Sequence, residues 1–577
     1  MVAVGASAYY RAATFFRLMI SAPAIVVPVA RRQGAGQSRR RMLALALLSC
    51  GIVLAFVLPT PISVYNDPTF QLKALQQYRA GASPTFNTLV MAGPRELSRD
   101  TQTWISTWPP GMGTLLLPLL RAGLGIGGAL RALAAAAFIV GSLGWAWWIS
   151  LFDLPRWLQG ILVLGWPCVR YANNPLFQYY TESLTYALAP WLLVGAVWLA
   201  AQMKKDLNGP RAAGALALGV GLGAAYWLKY SAVFVSVGLL MFFCCRWLRA
   251  RGDVGSRTSV LLVLVALVPF ITLVAGLNLL NRHMGASANY VSETAAVNLS
   301  WRNAVDALGF LPLAMADLDS ALQYVFFKPS RPLPFDPVWL RILALPVALL
   351  ILWILLRRRS DDPAVGASRW VTFATMAAIF AVWTLSGTGA SHEARHIAAA
   401  AMAMVPALLA EARLIWRRAW WLRSAILLVT VVFVFLPMLY GAATVVGKWR
   451  RVPRNYETSG PGLYHPSLAS LNESATLRIL LQDYSPAQDV WYAPDGVTAL
   501  FLPGRMVIRQ ADFQPLERLR SEVFRTAVPL RVLVLLPRHF EQDGKGIAIR
   551  SSFVQAKQWR KLEVPGCDYI RWAAELQ

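Results

Sequence analysis

The chain has 577 residues, of which 56% are hydrophobic and only 15% are charged, and its mean hydropathy is +0.47. Soluble domains carry about a quarter charged residues, and disordered chains combine low hydrophobicity with high charge density, so this composition excludes both classes. Apolar runs of about 20 residues, the length that crosses a bilayer, recur as far as residue 445. The sequence therefore predicts a polytopic α-helical membrane protein.

The net charge of +26 comes from basic residues that are grouped between the apolar runs. Such grouping is typical of short cytoplasmic loops, so it predicts contact with an anionic membrane surface and no binding of nucleic acid. The five cysteines show no disulfide or metal-binding spacing, because four of them lie in or beside apolar runs. The basic groups are Arg39–Arg41, Lys204-Lys205, Arg246–Arg251, Arg357–Arg359 and Arg413–Arg423.

These basic groups orient the apolar runs relative to the membrane. The first run, 42–61, follows Arg39–Arg41 and is predicted to leave the cytoplasm, which makes residues 1–41 a cytoplasmic lead-in. Applied to each later run, the same rule predicts about eleven crossings. Two long polar segments, 62–108 and 281–336, then lie outside.

Three apolar stretches separate the first outer segment from Glu182. Three full crossings would leave Glu182 in the cytoplasm, which conflicts with Lys204-Lys205 at the end of the following run. The first stretch, 109–120, is short and opens with Pro109-Pro110-Gly111, a helix-breaking sequence. It is therefore predicted to be a re-entrant or juxtamembrane segment.

The composition changes after residue 445. Residues 446–577 contain short β-branched runs, such as 531–536, and a stretch with helical spacing at 514–526. This pattern predicts a small soluble α/β domain, and the number of crossings puts it outside. The predicted architecture is an all-α polytopic membrane domain, 42–445, followed by this extracytoplasmic α/β domain.

Ionisable residues at the predicted outer face are costly there and are candidates for function. Asp67 suits a general base or a metal ligand, but it is also placed to cap a helix that begins at Pro68. Glu182 opens an apolar run, where its interaction with a helix N-terminus is worth about 0.3–1 kcal/mol. Lys229 interrupts two apolar runs, so it either extends to the interface or holds a phosphate.

Residues 391–396 read Ser-His-Glu-Ala-Arg-His and form the densest charged group. On a helix His392 and His396 share one face, and with Glu393 they spell the zinc-protease pattern His-Glu-x-x-His. That pattern needs a buried helix and a third ligand, whereas this group lies at the outer end of a run and includes Arg395, which suits a phosphate. A zinc protease, an anion site and plain interfacial charge all stay open.

The order of these features resembles the GT-C superfamily of membrane glycosyltransferases, which includes protein O-mannosyltransferases and aminoarabinose transferases. The resemblance covers residues 42–445 and extends to the C-terminal soluble domain. Many members carry two adjacent acidic residues in the first outer segment, where this chain has Asn66-Asp67. The features that carry the resemblance are Asp67, Trp108-Pro109-Pro110-Gly111, Glu182, Lys229 and the group His392–His396.

The resemblance implies inverting transfer of a sugar from a polyprenyl-phosphate donor to a lipid, glycan or protein acceptor. The transfer would occur on the outer side of a bacterial inner (plasma) membrane. Asp67 is the implied catalytic base. The resemblance establishes no cofactor and leaves a divalent metal open, although Asn66 weakens the case for one. The implied substrate-binding residues are Glu182, Lys229, His392, Glu393, Arg395 and His396.

Two other functions compete with this hypothesis. A polymer ligase of the O-antigen type also takes a lipid-linked donor on the outer side, and it would use Arg282, His283 and the segment 281–336. A non-enzymatic transporter would show inverted repeats, and no repeat is recognisable in the sequence. Neither the outer segment 62–108 nor the soluble C-terminal domain is explained by transport.

Overall fold

A computed structural model describes most of the chain, apart from the N-terminus and several connections. The described residues are 35–64, 66–179, 181–203, 208–250, 256–288, 337–356, 362–385, 394–415, 420–451, 462–465, 473–565 and 567–577, with isolated positions between 301 and 314.

Helices dominate the residues before 452. In chain order the first elements are α1 (Ala35–Val57), β1 (Ser63–Val64), α2 (Asn66–Arg79), β2 (Thr88–Gly93), β3 (Glu96–Trp104), α3 (Gly111–Arg121), α4 (Ile126–Ser150), α5 (Arg156–Gly165), α6 (Arg170–Phe177), β4 (Gln178–Tyr179), α7 (Glu182–Gln202) and α8 (Gly209–Leu228). They are followed by α9 (Val233–Ala250), α10 (Ser256–His283), α11 (Pro337–Leu356), α12 (Pro363–Leu385), α13 (Ala398–Ile415), α14 (Trp420–Thr430) and α15 (Leu436–Arg451).

A mixed α/β region forms the C-terminal part. Its elements are α16 (Glu473–Leu480), β5 (Asp489–Ala493), α17 (Gly496–Phe501), β6 (Met506–Ile508), α18 (Leu516–Ser521), β7 (Leu530–Pro537), α19 (His539–Gln542), α20 (Lys545–Ser551), β8 (Arg560–Glu563) and β9 (Tyr569–Leu576).

Seven helices among the described residues are long and apolar enough to cross a membrane. The chain is therefore an integral, polytopic α-helical membrane protein, while the predicted count of about eleven crossings is not confirmed. The seven spans are Ser38–Val57, Ile126–Ser150, Glu182–Gln202, Gly209–Leu228, Tyr230–Leu248, Val260–His283 and Pro363–Val382.

Two of the predicted apolar runs form short helices. Helix α3 has 11 residues, so it spans about 16 Å, roughly half of a bilayer core, as a re-entrant or juxtamembrane segment would. Helix α5 has only 10 residues because the chain turns into a 3₁₀ helix at Trp166–Cys168, where Pro167 cannot continue an α-helix. The predicted run 157–172 is therefore broken in the middle.

The C-terminal strands form a five-stranded sheet in the order β6-β5-β7-β9-β8. Strand β5 is parallel to β6 and β7, and β9 is antiparallel to β7 and β8. Strand β7 contains the predicted β-branched run 531–536. The helix expected over 514–526 is shorter, since α18 begins after Pro515 and the backbone is again extended at Glu522.

The first outer segment, 62–108, contributes residues to the apolar core of the C-terminal sheet. Strands β2 and β3 form an antiparallel hairpin, and its Ala92 and Leu97 are buried in the same cluster as Val490 and Val532 of the sheet. The Leu97 amide also donates to the Arg525 carbonyl at 2.8 Å. The hairpin thus completes the packing of a domain that follows it by several hundred residues.

Contacts between helix ends agree with the predicted sidedness. The Arg413 guanidinium, in a predicted cytoplasmic basic group, lies 3.6 Å from a carboxylate oxygen of Asp153, which the predicted crossings also put in the cytoplasm. Val554, in the C-terminal domain, is 54% exposed and is a suitable reporter position for the outer side.

We expect a cysteine at position 554 to react with a membrane-impermeant maleimide in intact cells, because the C-terminal domain is predicted to lie outside. A cysteine at position 153, whose side chain is also exposed, should react only after permeabilisation. The wild-type chain controls for its native cysteines. Protection of position 554 in intact cells would reverse the topology.

Candidate functional site

Two short parallel strands bring distant parts of the chain together. Strands β1 and β4 pair in parallel, with Val64 opposite Tyr179. Because paired residues in parallel strands are level, the residues three places further on, Asp67 and Glu182, both lie at the same end of the strands. Helices α2 and α7 begin here, so the first turn of each is at this edge.

Glu182 is the centre of the charged group at this edge. It is fully buried and forms an ion pair with Lys229, whose ammonium also lies 3.4 Å from the Thr181 hydroxyl. The Arg395 Nε lies 3.7 Å from the same carboxylate oxygen. Of these three side chains two are cationic and one is a carboxylate, so the group favours an anionic ligand beside Lys229 and Arg395.

A break between two helices delivers Lys229 to the site. Helix α8 ends at Leu228, Lys229 is extended with φ −159° and ψ 127°, and a 3₁₀ turn at Tyr230–Ala232 leads into α9. A lysine in the middle of a continuous helix would be fixed by its helical neighbours. The extended residue instead directs its side chain towards Glu182, 47 residues earlier in the chain.

The Pro-Pro-Gly segment packs directly against this break. A Cβ added at Gly111 would lie 2.3 Å from the Trp227 carbonyl oxygen, so only glycine permits this approach of α3 to the end of α8. On the other side, the Gln71 amide of α2 donates to the Pro109 carbonyl at 2.7 Å and to the Trp108 carbonyl at 3.2 Å. The segment therefore connects the helix that carries Asp67 with the last turn of α8, which ends just before Lys229.

A second buried polar group holds the residue after Lys229. The Tyr230 hydroxyl donates to the Ser106 carbonyl at 2.8 Å, and the Asn281 amide lies 3.1 Å from that hydroxyl. The Trp104 indole N–H donates to the side-chain oxygen Oδ1 of Asn281 at 2.9 Å. Sequence reasoning missed Asn281, since an asparagine near the end of an apolar helix carries no distinctive pattern.

Beside the charged group lies a narrow, mainly apolar groove with a volume of about 20 Å³. Its walls come from α7, α9, α12 and the start of α13, and the groove reaches the residues next to Lys229 and Arg395. Most of its lining is aliphatic or aromatic. The lining includes Leu188, Leu192, Phe234 and Val235, with Tyr171, Thr185, Thr375 and His396 as polar groups.

The predicted site residues divide into those that meet and those that lie outside the described part. Glu182, Lys229 and Arg395 come together, and His396 lines the groove beside them. The backbone of Asp67 is in the first turn of α2, while its side chain, with His392 and Glu393, falls outside the described residues.

The His-Glu-x-x-His pattern and the metal alternative are only partly described. The described end of the pattern, Ala394–His396, is a 3₁₀ turn and not the α-helix on which the zinc-protease spacing depends. Among the described residues no three His, Cys, Asp or Glu side chains are grouped as a metal site.

Comparison with known proteins finds similarity only at the level of structure. No protein-family model and no curated protein matches the sequence. The chain is similar to ArnT from Cupriavidus metallidurans bound to undecaprenyl phosphate, with 13% identity and a TM-score of 0.41 over 92% of this chain and 97% of that one. For the apo state of the same protein the values are 14%, 0.42, 93% and 97%.

Both structures are of ArnT, a GT-C aminoarabinose transferase, and a likeness at this identity concerns the fold alone. The two structures overlap with nearly the whole chain, but TM-scores below 0.5 describe a loose overlap.

Proposed function

We propose that the chain is a membrane glycosyltransferase that transfers a sugar, with inversion, from a polyprenyl-phosphate donor to an acceptor on the outer side of the membrane. One observation carries the proposal. The buried group of Glu182, Lys229 and Arg395 lies at the edge where the helix bearing Asp67 begins. A mainly apolar groove adjoins this group. The cations suit the donor phosphate, Asp67 suits the acceptor hydroxyl, and the groove suits the lipid.

The two cations suit the phosphate of the donor. A sugar joined to a polyprenyl phosphate carries one negative charge, and the Glu182 carboxylate balances only one of the two cations that face it. When the bond between the anomeric carbon and the phosphate oxygen breaks, its electron pair stays on that oxygen and the leaving phosphate gains a second charge. Lys229 and Arg395 stabilise this developing charge, as preorganised donors do in a water-poor site. Glu182 holds both cations in place.

Asp67 supplies the base. Its carboxylate takes the proton of the acceptor hydroxyl, and the acceptor oxygen attacks the anomeric carbon on the face opposite the phosphate, which inverts the configuration. The first isoprene units of the lipid pack against the aliphatic side chains that line the groove, and a lipid-borne donor explains why the catalyst is a membrane protein. The acceptor is a lipid, glycan or protein at the outer face of a bacterial inner (plasma) membrane.

Binding of two matched lipids to the purified protein in nanodiscs tests the donor assignment. Undecaprenyl phosphate should bind at least about tenfold more tightly than undecaprenol, because charge-assisted contacts contribute about 1.5–3 kcal/mol each. Arg282→Ala serves as the control, since Arg282 is exposed at the end of α10 and belongs to the ligase alternative. Equal affinity of the wild-type protein for both lipids would contradict the proposal. So would a loss of the preference for undecaprenyl phosphate in Arg282→Ala.

A further inference from the structure

Helix α17 of the C-terminal domain lies along helix α2 of the outer segment. The Lys73 ammonium of α2 donates to the Leu502 carbonyl at 2.9 Å, and the Gln76 amide donates to the Leu500 carbonyl at 3.4 Å. These carbonyls belong to the C-terminal end of α17, where backbone oxygens lack partners within the helix. Two side chains of α2 therefore satisfy the end of α17.

Lys73 is an unusual residue for such a contact. It is 4% exposed, and burial lowers its pKa to about 7. Its described partners are the Leu502 carbonyl and the Gln76 side-chain oxygen, the latter at 3.1 Å, and neither carries a charge. Burying a lysine without a carboxylate is costly, so a methionine at this place would be favoured if packing alone mattered.

The opposite end of α17 touches α2 just after Asp67. A Cβ added at Gly496, the first residue of α17, would lie 2.1 Å from the Thr69 hydroxyl oxygen. Thr69 is fully buried and lies two residues after Asp67. Helix α17 thus contacts α2 at both ends, and one of these contacts is in the turn that carries the proposed base.

We propose that Lys73 is a positioning residue, which fastens α17 along α2 and so fixes the first turn of α2, with Asp67, relative to the donor site. This inference rests on the proposed function. The C-terminal domain then acts on catalysis through the orientation of the base, although it supplies no group to the reacting atoms. Misplacement of a reacting group by about 1 Å costs roughly 10²-fold in rate, so a modest shift of α2 is sufficient.

The test is a double-mutant cycle in the full-length protein. Lys73→Met keeps the length and apolar stem of the side chain and removes the donor to Leu502. We expect sugar transfer to fall by about 10- to 100-fold, with binding of undecaprenyl phosphate unchanged. In the Asp67→Asn background the same substitution should have no further effect, because the remaining rate no longer depends on where the base lies.

Two further variants complete the test, one as a control for general damage to the domain contact and one as a second perturbation of α2. Arg505→Ala removes an exposed 2.9 Å ion pair with Asp100, another contact between the outer segment and the C-terminal domain, and should leave transfer unchanged. Gly496→Ala pushes against Thr69 without touching Lys73, and it should reproduce the loss of transfer with intact donor binding. It keeps the test decisive if Lys73→Met fails to fold.

The outcomes separate this inference from the proposed function. Near-normal transfer by Asp67→Asn would overturn the proposed function, whatever Lys73→Met does. Two results would overturn only the positioning role, provided that Asp67→Asn is impaired. One is a normal transfer rate in Lys73→Met and Gly496→Ala. The other is a double variant with Asp67→Asn whose loss of rate equals the product of the two single losses. Loss of donor binding in Lys73→Met would likewise overturn it.

Discussion

Replacing Asp67 with asparagine should lower sugar transfer by about 10²–10⁴-fold, the usual contribution of a general base, and should leave the affinity for undecaprenyl phosphate unchanged. The substitution keeps the size of the side chain and removes only its capacity to accept the proton. Lys229→Ala and Arg395→Ala should behave differently, because each loses a charge-assisted contact worth about 1.5–3 kcal/mol with the donor phosphate. Their donor affinity and their transfer rate should both fall.

Transfer kinetics and donor binding, measured side by side in nanodiscs, distinguish the two kinds of variant. An Asp67→Asn protein that binds and transfers normally would reject this base and favour a ligase that uses Arg282 and His283. If Lys229→Ala and Arg395→Ala also bound and transferred normally, the catalytic site would have to lie elsewhere in the chain.

Glu182→Gln should have the largest effect on stability. Glu182 is fully buried and pairs with Lys229 and Arg395, so its neutralisation leaves two cations facing each other in a site of low dielectric. Breaking a buried pair in this way costs about 3–5 kcal/mol. Thermal unfolding in detergent measures the loss. The control is Asp153→Asn, whose exposed pair with Arg413 is worth at most about 1 kcal/mol.

A second substitution identifies the cause of that loss. The double variant Glu182→Gln/Lys229→Met removes one of the two opposed cations and should be more stable than Glu182→Gln alone. A double variant that is less stable than the single one would show that repulsion between Lys229 and Arg395 is not responsible, and that Glu182 acts through packing.

The basic groups and apolar runs predict which residues share one side of the membrane, and this sidedness stays a prediction. They put Glu182, Lys229 and Arg395 on the outer side, but hydropathy carries no information about distance within that side. The convergence depends on the parallel pairing of β1 with β4 and on the extended backbone of Lys229. Strands of two residues and a single extended residue leave no periodic pattern in a sequence.

The C-terminal domain shows a different limit of sequence reasoning. The β-branched run predicted β7, because burial on both faces selects such residues locally. The packing of the hairpin residues Ala92 and Leu97 into the same core, and the role of Lys73 at α17, depend on pairings between residues far apart. From the neighbouring residues alone, a lysine is predicted to be exposed, so the burial of Lys73 is visible only in the fold.

The contact between Lys73 and Leu502 also sets the order of events during biosynthesis, because 429 residues separate the two partners. At the usual rate of translation, the ribosome needs roughly 20–90 s to make the intervening chain. Throughout that interval the face of α2 that bears Thr69, Lys73 and Gln76 lacks α17, its partner in the folded protein. A nascent chain that stalls before residue 500 would therefore leave this face of α2 without its partner, and the turn that carries Asp67 without one of its contacts.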